Sequence, residues 1–249
     1  MKILVAKTYE QMSRKALALV EACIAQEPQG LVSFPGGDTP VEFLRLFTQA
    51  VQDGEIDHRC LKFVQLDDWV GVGPEDEGSC SHFIHHTLLE KLPAPFADVF
   101  CFNGRASDID AQLAAQDRFI RDYGPISVEM LGIGMNGHLG FNENGVDPTL
   151  RSHRTPLSET TLIVQKKYFG GKEVPLTEGI TQGIAQIMES KTVLLLANGK
   201  KKADIIRQAV TGPVTNQVPA SFLQRHNNCY VLLDEEAASL LPEEIITRI

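Results

Sequence analysis

Among the five cysteines (Cys23, Cys60, Cys80, Cys101, Cys229) there is no Cys-x-x-Cys pair, and their odd number leaves no complete disulfide framework. Neither a disulfide-stapled scaffold nor a thiolate zinc site is suggested. Long hydrophobic runs are missing too: none approaches the roughly 20 residues that a bilayer-spanning helix needs. The N-terminal MKILVAKTYE has too short an apolar stretch for a secretory signal and reads as a first strand. A soluble, cytoplasmic protein with no membrane partner is the expectation. Positive charge is scarce, with 23 Lys and Arg against 32 Asp and Glu and a net charge of −9. That balance repels a phosphodiester backbone, and the one dense basic run, GKKKAD at 199–204, is too short to reverse it. The expected partner is a small molecule, not a nucleic acid. Finally, no Pro/Ser-rich tract, internal repeat or low-complexity segment divides the 249 residues, so one domain spanning 1–249 is expected.

What is present is an alternation. Apolar, β-rich runs recur at Ile3–Ala6, Gly30–Phe34, Leu61–Leu66, Val99–Phe102, Ser127–Ile133, Thr192–Ala197 and Cys229–Leu233. Helical patterns fill most of the gaps, at Tyr9–Ala25, Pro40–Asp53, Ser81–Lys91, Ile109–Asp122, Thr177–Met188 and Lys201–Ala209, with a short one near Ala220–Arg225. This predicts an α/β fold: a Rossmann-like, open, mainly parallel sheet with helices on both faces. Thr39 before Pro40, with Glu42 three residues on, predicts a capping box at the second helix. From Asn144 to Pro175 the periodicity fades, which predicts a mobile flap over about 146–176.

Ligands of open α/β sheets sit beyond the carboxyl ends of the strands, and four loops there carry unusual polar content. In SFPGGDTP (33–40), Gly36 and Gly37 allow close backbone approach ahead of a helix N-terminus, and the Thr39 hydroxyl adds a donor. That describes a phosphate cradle. A tight turn capped by Thr39 would use the same letters, and Asp38 puts a carboxylate beside any bound phosphate. In FVQLDDWVGV (63–72) an apolar strand runs into Asp67 and Asp68, where a carboxylate walled by Trp69 could take up a raised pKa and act as a base on a carbon acid. Solvation of the strand end is the bland alternative.

The third loop, LGIGMNGHLGFNENG (131–145), contains a literal G-x-G-x-x-G at Gly132, Gly134 and Gly137. A dinucleotide site would need a helix opening at the last glycine and an acidic strand end about 20 residues later. Instead Gly140, Asn142, Asn144 and Gly145 crowd the next residues. The loop suits acid–base work better, with His138 oriented by Asn136 or Glu143. In the fourth, LLLANGKKKADII (194–206), lysines stand at a helix start where a bound anion would relieve their clash with the macrodipole.

Together these loops resemble the glucosamine-6-phosphate deaminase/galactosamine-6-phosphate isomerase family, with 6-phosphogluconolactonases as distant relatives. The resemblance spans nearly the whole chain. It is carried by Gly36-Gly37-Asp38-Thr39-Pro40, by Asp67-Asp68-Trp69-Val70 and, most specifically, by the G-x-G-x-[DN]-G-H-x-x-F-N-E signature from Gly132 to Glu143.

The resemblance implies a deaminating aldose–ketose isomerase of a hexosamine 6-phosphate that needs no metal or cofactor. His138 would open the sugar ring, supported by Glu143 and Asn136, and Asp67 would move the proton from carbon 2 to carbon 1. The substrate would be bound by Gly36, Gly37, Asp38, Thr39 and Gly137, with Lys167 from the flap reaching the phosphate and Lys202 standing at the helix start. Three positions depart from the family pattern. Asn136 replaces the Asp of glucosamine-type enzymes, leaving the pairing with His138 to Glu143. Lys167 replaces an arginine, and Asp38 a small residue. Asn-Gly-His-Leu-Gly together with Leu-Asp-Asp-Trp is closer to the galactosamine-type relatives. The alternatives are a 6-phosphogluconolactonase-like hydrolase and a non-catalytic sugar-phosphate-binding regulator. Oligomeric state, monomer or homo-oligomer, is left open.

Overall fold

A computed structural model describes residues 1–171 and 174–249. From the N-terminus, β1 (Lys2–Ala6) leads into α1 (Tyr9–Gln26), β2 (Leu31–Ser33) into α2 (Val41–Gln52), and β3 (Lys62–Val64) into β4 (Asp67–Trp69) and α3 (Cys80–Thr87). Next come β5 (Asp98–Phe100), α4 (Ile109–Tyr123), β6 (Val128–Leu131), β7 (His153–Pro156), α5 (Glu159–Tyr168), β8 (Glu178–Thr181) and α6 (Ile184–Glu189). The order ends with β9 (Val193–Ala197), α7 (Ala203–Thr211), β10 (Cys229–Asp234) and β11 (Ile246–Arg248).

Eight strands form one sheet in the order β11-β1-β10-β9-β6-β2-β3-β5. Its pairings are parallel. Successive side chains point to opposite faces, and both faces are covered. Leu4, Ala6, Leu194 and Leu196 pack with Met12, Ala16 and Val20 of α1 and Phe43 and Phe47 of α2. Ile3, Val5 and Leu195 pack on the other side with Ile184 and Ile187 of α6 and Ile205, Ile206 and Ala209 of α7. Burial on both faces is why these strands read as unbroken apolar runs. The helix-covered parallel sheet is the architecture that the alternation predicts.

A second, antiparallel sheet of three strands, β4-β8-β7, was not legible. It corrects the helix expected over Thr177–Met188, where β8 comes first and the helix is only α6. Gly179 and Gly183 break the helical pattern: a Cβ on Gly179 would sit 2.5 Å from the Phe141 ring, and one on Gly183 2.0 Å from the Leu150 carbonyl oxygen. Pairing with β4 then supplies the backbone partners that a helix would have supplied.

The segment from Asn144 to Pro175 also holds more regular structure than its periodicity suggests, namely β7 and α5. The residues α5 buries fully are the polar Thr161 and Gln165, and only Leu162 and Tyr168 pack partly on an apolar cluster, so its apolar stripe is weak. Lys172 and Glu173 of the expected flap lie outside the described residues.

The cap of α2 differs as well. The Thr39 side chain does not cap it, and the N-cap position is Pro40. Tyr9 of α1 does the work instead: its hydroxyl donates to the Thr39 carbonyl at 2.8 Å and accepts the Glu42 N–H at 3.0 Å. The Glu42 carboxylate turns to Arg45 at 2.7 Å. A tertiary contact thus satisfies an orphan donor that the local capping box was expected to satisfy.

Candidate active site

The carboxyl ends of β2, β3, β6 and β9 open onto a cavity of about 940 Å³. Its lining includes Gly36, Gly37, Asp38 and Thr39 from the loop after β2, and Asp67 from β4. His138, Lys167 and Lys202 complete it from the loop after β6, from α5 and from the turn before α7. Asn136, Gly137 and Glu143 do not line it; they stand around His138. A smaller depression of about 420 Å³, lined by Glu27, Tyr123 and Lys191, lies at the opposite ends of the strands, away from these groups.

Asp67 is the most constrained group of the site. The chain leaves β3, passes Gln65 and enters β4, so Asp67 lies within a strand opposite Thr181 of β8 and not in a free loop. Gln65 Nε2 donates to the Asp67 carbonyl at 2.6 Å. The adjacent Asp68 points the other way and staples β4 to α3: it accepts the N–H groups of Trp69 at 2.8 Å, and of Cys80 and Ser81 at 2.9 Å each. Burial, then the charge of Asp68, push the Asp67 carboxyl up to about 7, while a hydrogen bond from the Cys80 thiol pulls it down. Burial also raises Asp68, against the pull of its N–H donors. Trp69 packs on Phe141 with ring centroids 4.6 Å apart and walls this corner from water.

His138 stands opposite on the glycine-rich loop. A Cβ on Gly134 would fall 2.3 Å from the imidazole, so only glycine leaves room for the ring, and Gly137 turns the chain with φ +87°. His138 Nδ1 lies 3.4 Å from Glu143 Oε2. The Asn136 amide does not face the ring. Its Nδ2 donates to Glu143 Oε2 at 2.7 Å, and its Oδ1 accepts the His138 backbone N–H at 3.3 Å. Burial pushes the Glu143 carboxyl up, but His138, the Thr161 hydroxyl and Asn136 outweigh it and hold it at about 2.

At the anion end, Lys202 Nζ donates to the Ile133 carbonyl at 2.6 Å, which ties the turn before α7 to the glycine loop. Burial, then neighbouring Lys201, lower the Lys202 ammonium to about 8, against the opposing pull of Asp38. Lys167 is ion-paired with Asp38 across the cavity mouth, both side chains being more than half exposed.

Sequence reasoning missed several neighbours. Thr161 Oγ1 donates to Glu143 Oε1 at 2.5 Å and lies 3.3 Å from His138 Nδ1. The Cys80 thiol touches Asp67, and Tyr168 lines the cavity. A signal for Thr161 existed in Ser158-Glu159, an N-cap followed by an acidic first turn, and Ser158 does cap α5.

The family model for glucosamine-6-phosphate isomerases/6-phosphogluconolactonase matches residues 5–232. Glucosamine-6-phosphate deaminase 2 of Bacillus subtilis (strain 168) is 37% identical over 243 residues, 97% of this chain and 98% of that protein. Glucosamine-6-phosphate deaminase of Thermoanaerobacter sp. (strain X514) is 32% identical over 249 residues, 100% of this chain and 98% of that protein. A solved structure of a monomeric glucosamine-6-phosphate deaminase superposes with a TM-score of 0.92 at 31% identity, covering 96% of this chain and 100% of that one. At 18% identity, 6-phosphogluconolactonase from Leishmania guyanensis, with a TM-score of 0.76, shares the fold alone. The chain belongs to the glucosamine-6-phosphate isomerase/6-phosphogluconolactonase family.

Proposed function

We propose that the chain converts a hexosamine 6-phosphate to the ketohexose 6-phosphate and ammonia. The observation that carries this reading is a carboxyl poised near neutrality, Asp67 at about 7, facing the same cleft as the His138–Glu143 pair and an anion end. A general base works best when its pKa lies near the working pH.

The phosphate binds the turn at Gly36 to Thr39, with Lys167 and Lys202, and Asp38 gives up its pairing with Lys167; Gly137, expected among the substrate-binding residues, instead turns the loop that carries His138. The remote phosphate contact supplies binding energy that holds the reacting carbons against Asp67. His138 moves a proton between the anomeric hydroxyl and the ring oxygen, opening the ring; Glu143, with Asn136 and Thr161 behind it, stabilises the imidazolium. Asp67 then takes the proton from carbon 2, giving an enolamine, and returns it to carbon 1. The resulting imine at carbon 2 adds water and expels ammonia.

Residues 1–249 act as one sugar-phosphate domain in the cytoplasm, with 146–176 as the flap that brings Lys167 and Thr161 to the substrate. The chain works as a monomer. Support for the monomeric state comes from the solved relative, a monomeric glucosamine-6-phosphate deaminase. Among the described residues no helix is long and apolar enough to cross a membrane. The test is enzyme-coupled ammonia release from glucosamine 6-phosphate and galactosamine 6-phosphate in separate assays; folded protein silent on both rejects the reading. With the assay run in deuterated water, solvent deuterium found in the recovered substrate or at carbon 1 of the ketose, from exchange while the proton rests on Asp67, argues against lactone hydrolysis, which moves no carbon-bound proton.

A further inference from the structure

Beneath the cleft lies a carboxyl that the proposed chemistry does not use. Glu129, in the middle of β6, is fully buried. Among the described residues no lysine, arginine or histidine is a cause of its shift: the influences on its carboxyl are its burial, Gln182, Ser33 and the like charge of Asp67. The elements around it explain this. Ser33 stands opposite on β2, Val193 on β9, and Asp67 on β4 is the charged neighbour. Gln182 Nε2 donates to Glu129 Oε2 at 3.1 Å. The other two oxygens of this pair, Glu129 Oε1 and Gln182 Oε1, are both buried and without a donor.

An ionised Glu129 can draw at most the Ser33 hydroxyl to its second oxygen, leaves Gln182 Oε1 unsatisfied, and remains a buried charge without a cationic partner, which is costly. A single proton satisfies both oxygens together, because a carboxylic acid and a primary amide can exchange two hydrogen bonds in one ring. We propose that Glu129 is a neutral carboxylic acid whose Oε1–H donates to Gln182 Oε1 while its Oε2 accepts from Gln182 Nε2, making it a positioning residue for the floor of the cleft. Burial raises this carboxyl to about 8, in keeping with that state.

The acid–amide ring reaches the site through Gln182. The Gln182 N–H donates to the Leu66 carbonyl at 2.8 Å, immediately before Asp67. Its carbonyl accepts Asn142 Nδ2 at 2.8 Å, immediately before Glu143. One residue thus holds the Leu66 backbone and the Asn142 side chain, each immediately before a proposed acid–base carboxyl. Ionising Glu129 breaks the ring and sets a second negative charge against Asp67.

Because the folded protein holds this proton from about pH 4.5 up to about 8, where the unfolded chain has released it, stability falls as pH rises across that window. Glu129→Gln has no such proton to hold, so its melting temperature relative to the intact wild type should rise by several degrees between about pH 6 and about pH 9. Asp67 titrates in both proteins, so only its coupling to the Glu129 charge remains in the difference. The wild-type infrared spectrum should show a protonated-carboxyl stretch that is absent from Glu129→Gln and fades as pH passes about 8. Glu129→Gln destabilised equally at both pH values, or wild type without that band, overturns the proposal. A kinetic arm rests on the isomerase reading: the alkaline limb of kcat/KM should move to higher pH in Glu129→Gln. Failure of that reading shows as no turnover in either protein, while melting and infrared still decide on Glu129.

Discussion

Asn136 Nδ2 donates to Glu143 Oε2 at 2.7 Å, on the oxygen that also faces His138 Nδ1. The amide therefore strengthens the one carboxylate that pairs with the histidine. Asn136→Asp replaces a donor with a second negative charge, so Glu143 rises from about 2 and its hold on the imidazolium weakens. Ammonia release should fall by about tenfold, with the pH profile of kcat displaced, since one pKa unit is about 1.4 kcal/mol of differential interaction. A rise in kcat would refute this account of Asn136.

Asp67 sets the acid side of the profile. Below about 7 its carboxyl is protonated and cannot accept the carbon-2 proton, so kcat/KM should climb by about tenfold per pH unit and level off above about 7. Removing the thiol donor with Cys80→Ala moves this limb to higher pH, because the hydrogen bond that favours the ionised form is gone. Asp67→Asn should lower kcat by about 100- to 10,000-fold while leaving phosphate binding intact, as measured by calorimetry with inorganic phosphate.

Asp38 and Lys167 hold each other where the phosphate is proposed to bind. An exposed pair of this kind is worth about 0–1 kcal/mol, little enough for a dianion to displace. Asp38→Ser frees Lys167 and removes a repelling carboxylate, so KM should drop by about two- to fivefold with kcat unchanged. Lys167→Ala should raise KM. If Asp38→Ser raises KM instead, the carboxylate contributes to binding and the competition described here is wrong.

Lys202 carries the alkaline limit of phosphate binding. At about 8 its ammonium is half deprotonated in the free protein, and a bound phosphate restores the charge. Phosphate affinity should therefore fall as pH rises past about 8, and binding there should take up a proton. Calorimetry at about pH 8 in buffers of different ionisation enthalpy measures that uptake, and Lys202→Met should abolish it.

How much of this was visible beforehand depended on the range of the cause. Strands such as Val193–Ala197 declared themselves because burial on both faces demands a continuous apolar run, and His138 and Asp67 because they follow such runs into polar loops. The small sheet stayed hidden: Asp67–Trp69 and Glu178–Thr181 become strands only by finding each other across more than a hundred residues. Thr161 was missed because α5 fully buries only polar residues and carries a weak apolar signal, and Asn136 read as a partner of the imidazole when its amide is turned to Glu143.

The Tyr9 hydroxyl, bound at once to the Thr39 carbonyl and the Glu42 N–H, joins the first helix of the chain to the proposed phosphate turn. Coupling of this kind is reciprocal. A ligand that orders the turn also steadies α1, and amide hydrogen exchange in the first helix becomes a remote gauge of occupancy. Loosening α1, even on its solvent side, is then felt as weaker binding at a site that no α1 residue lines.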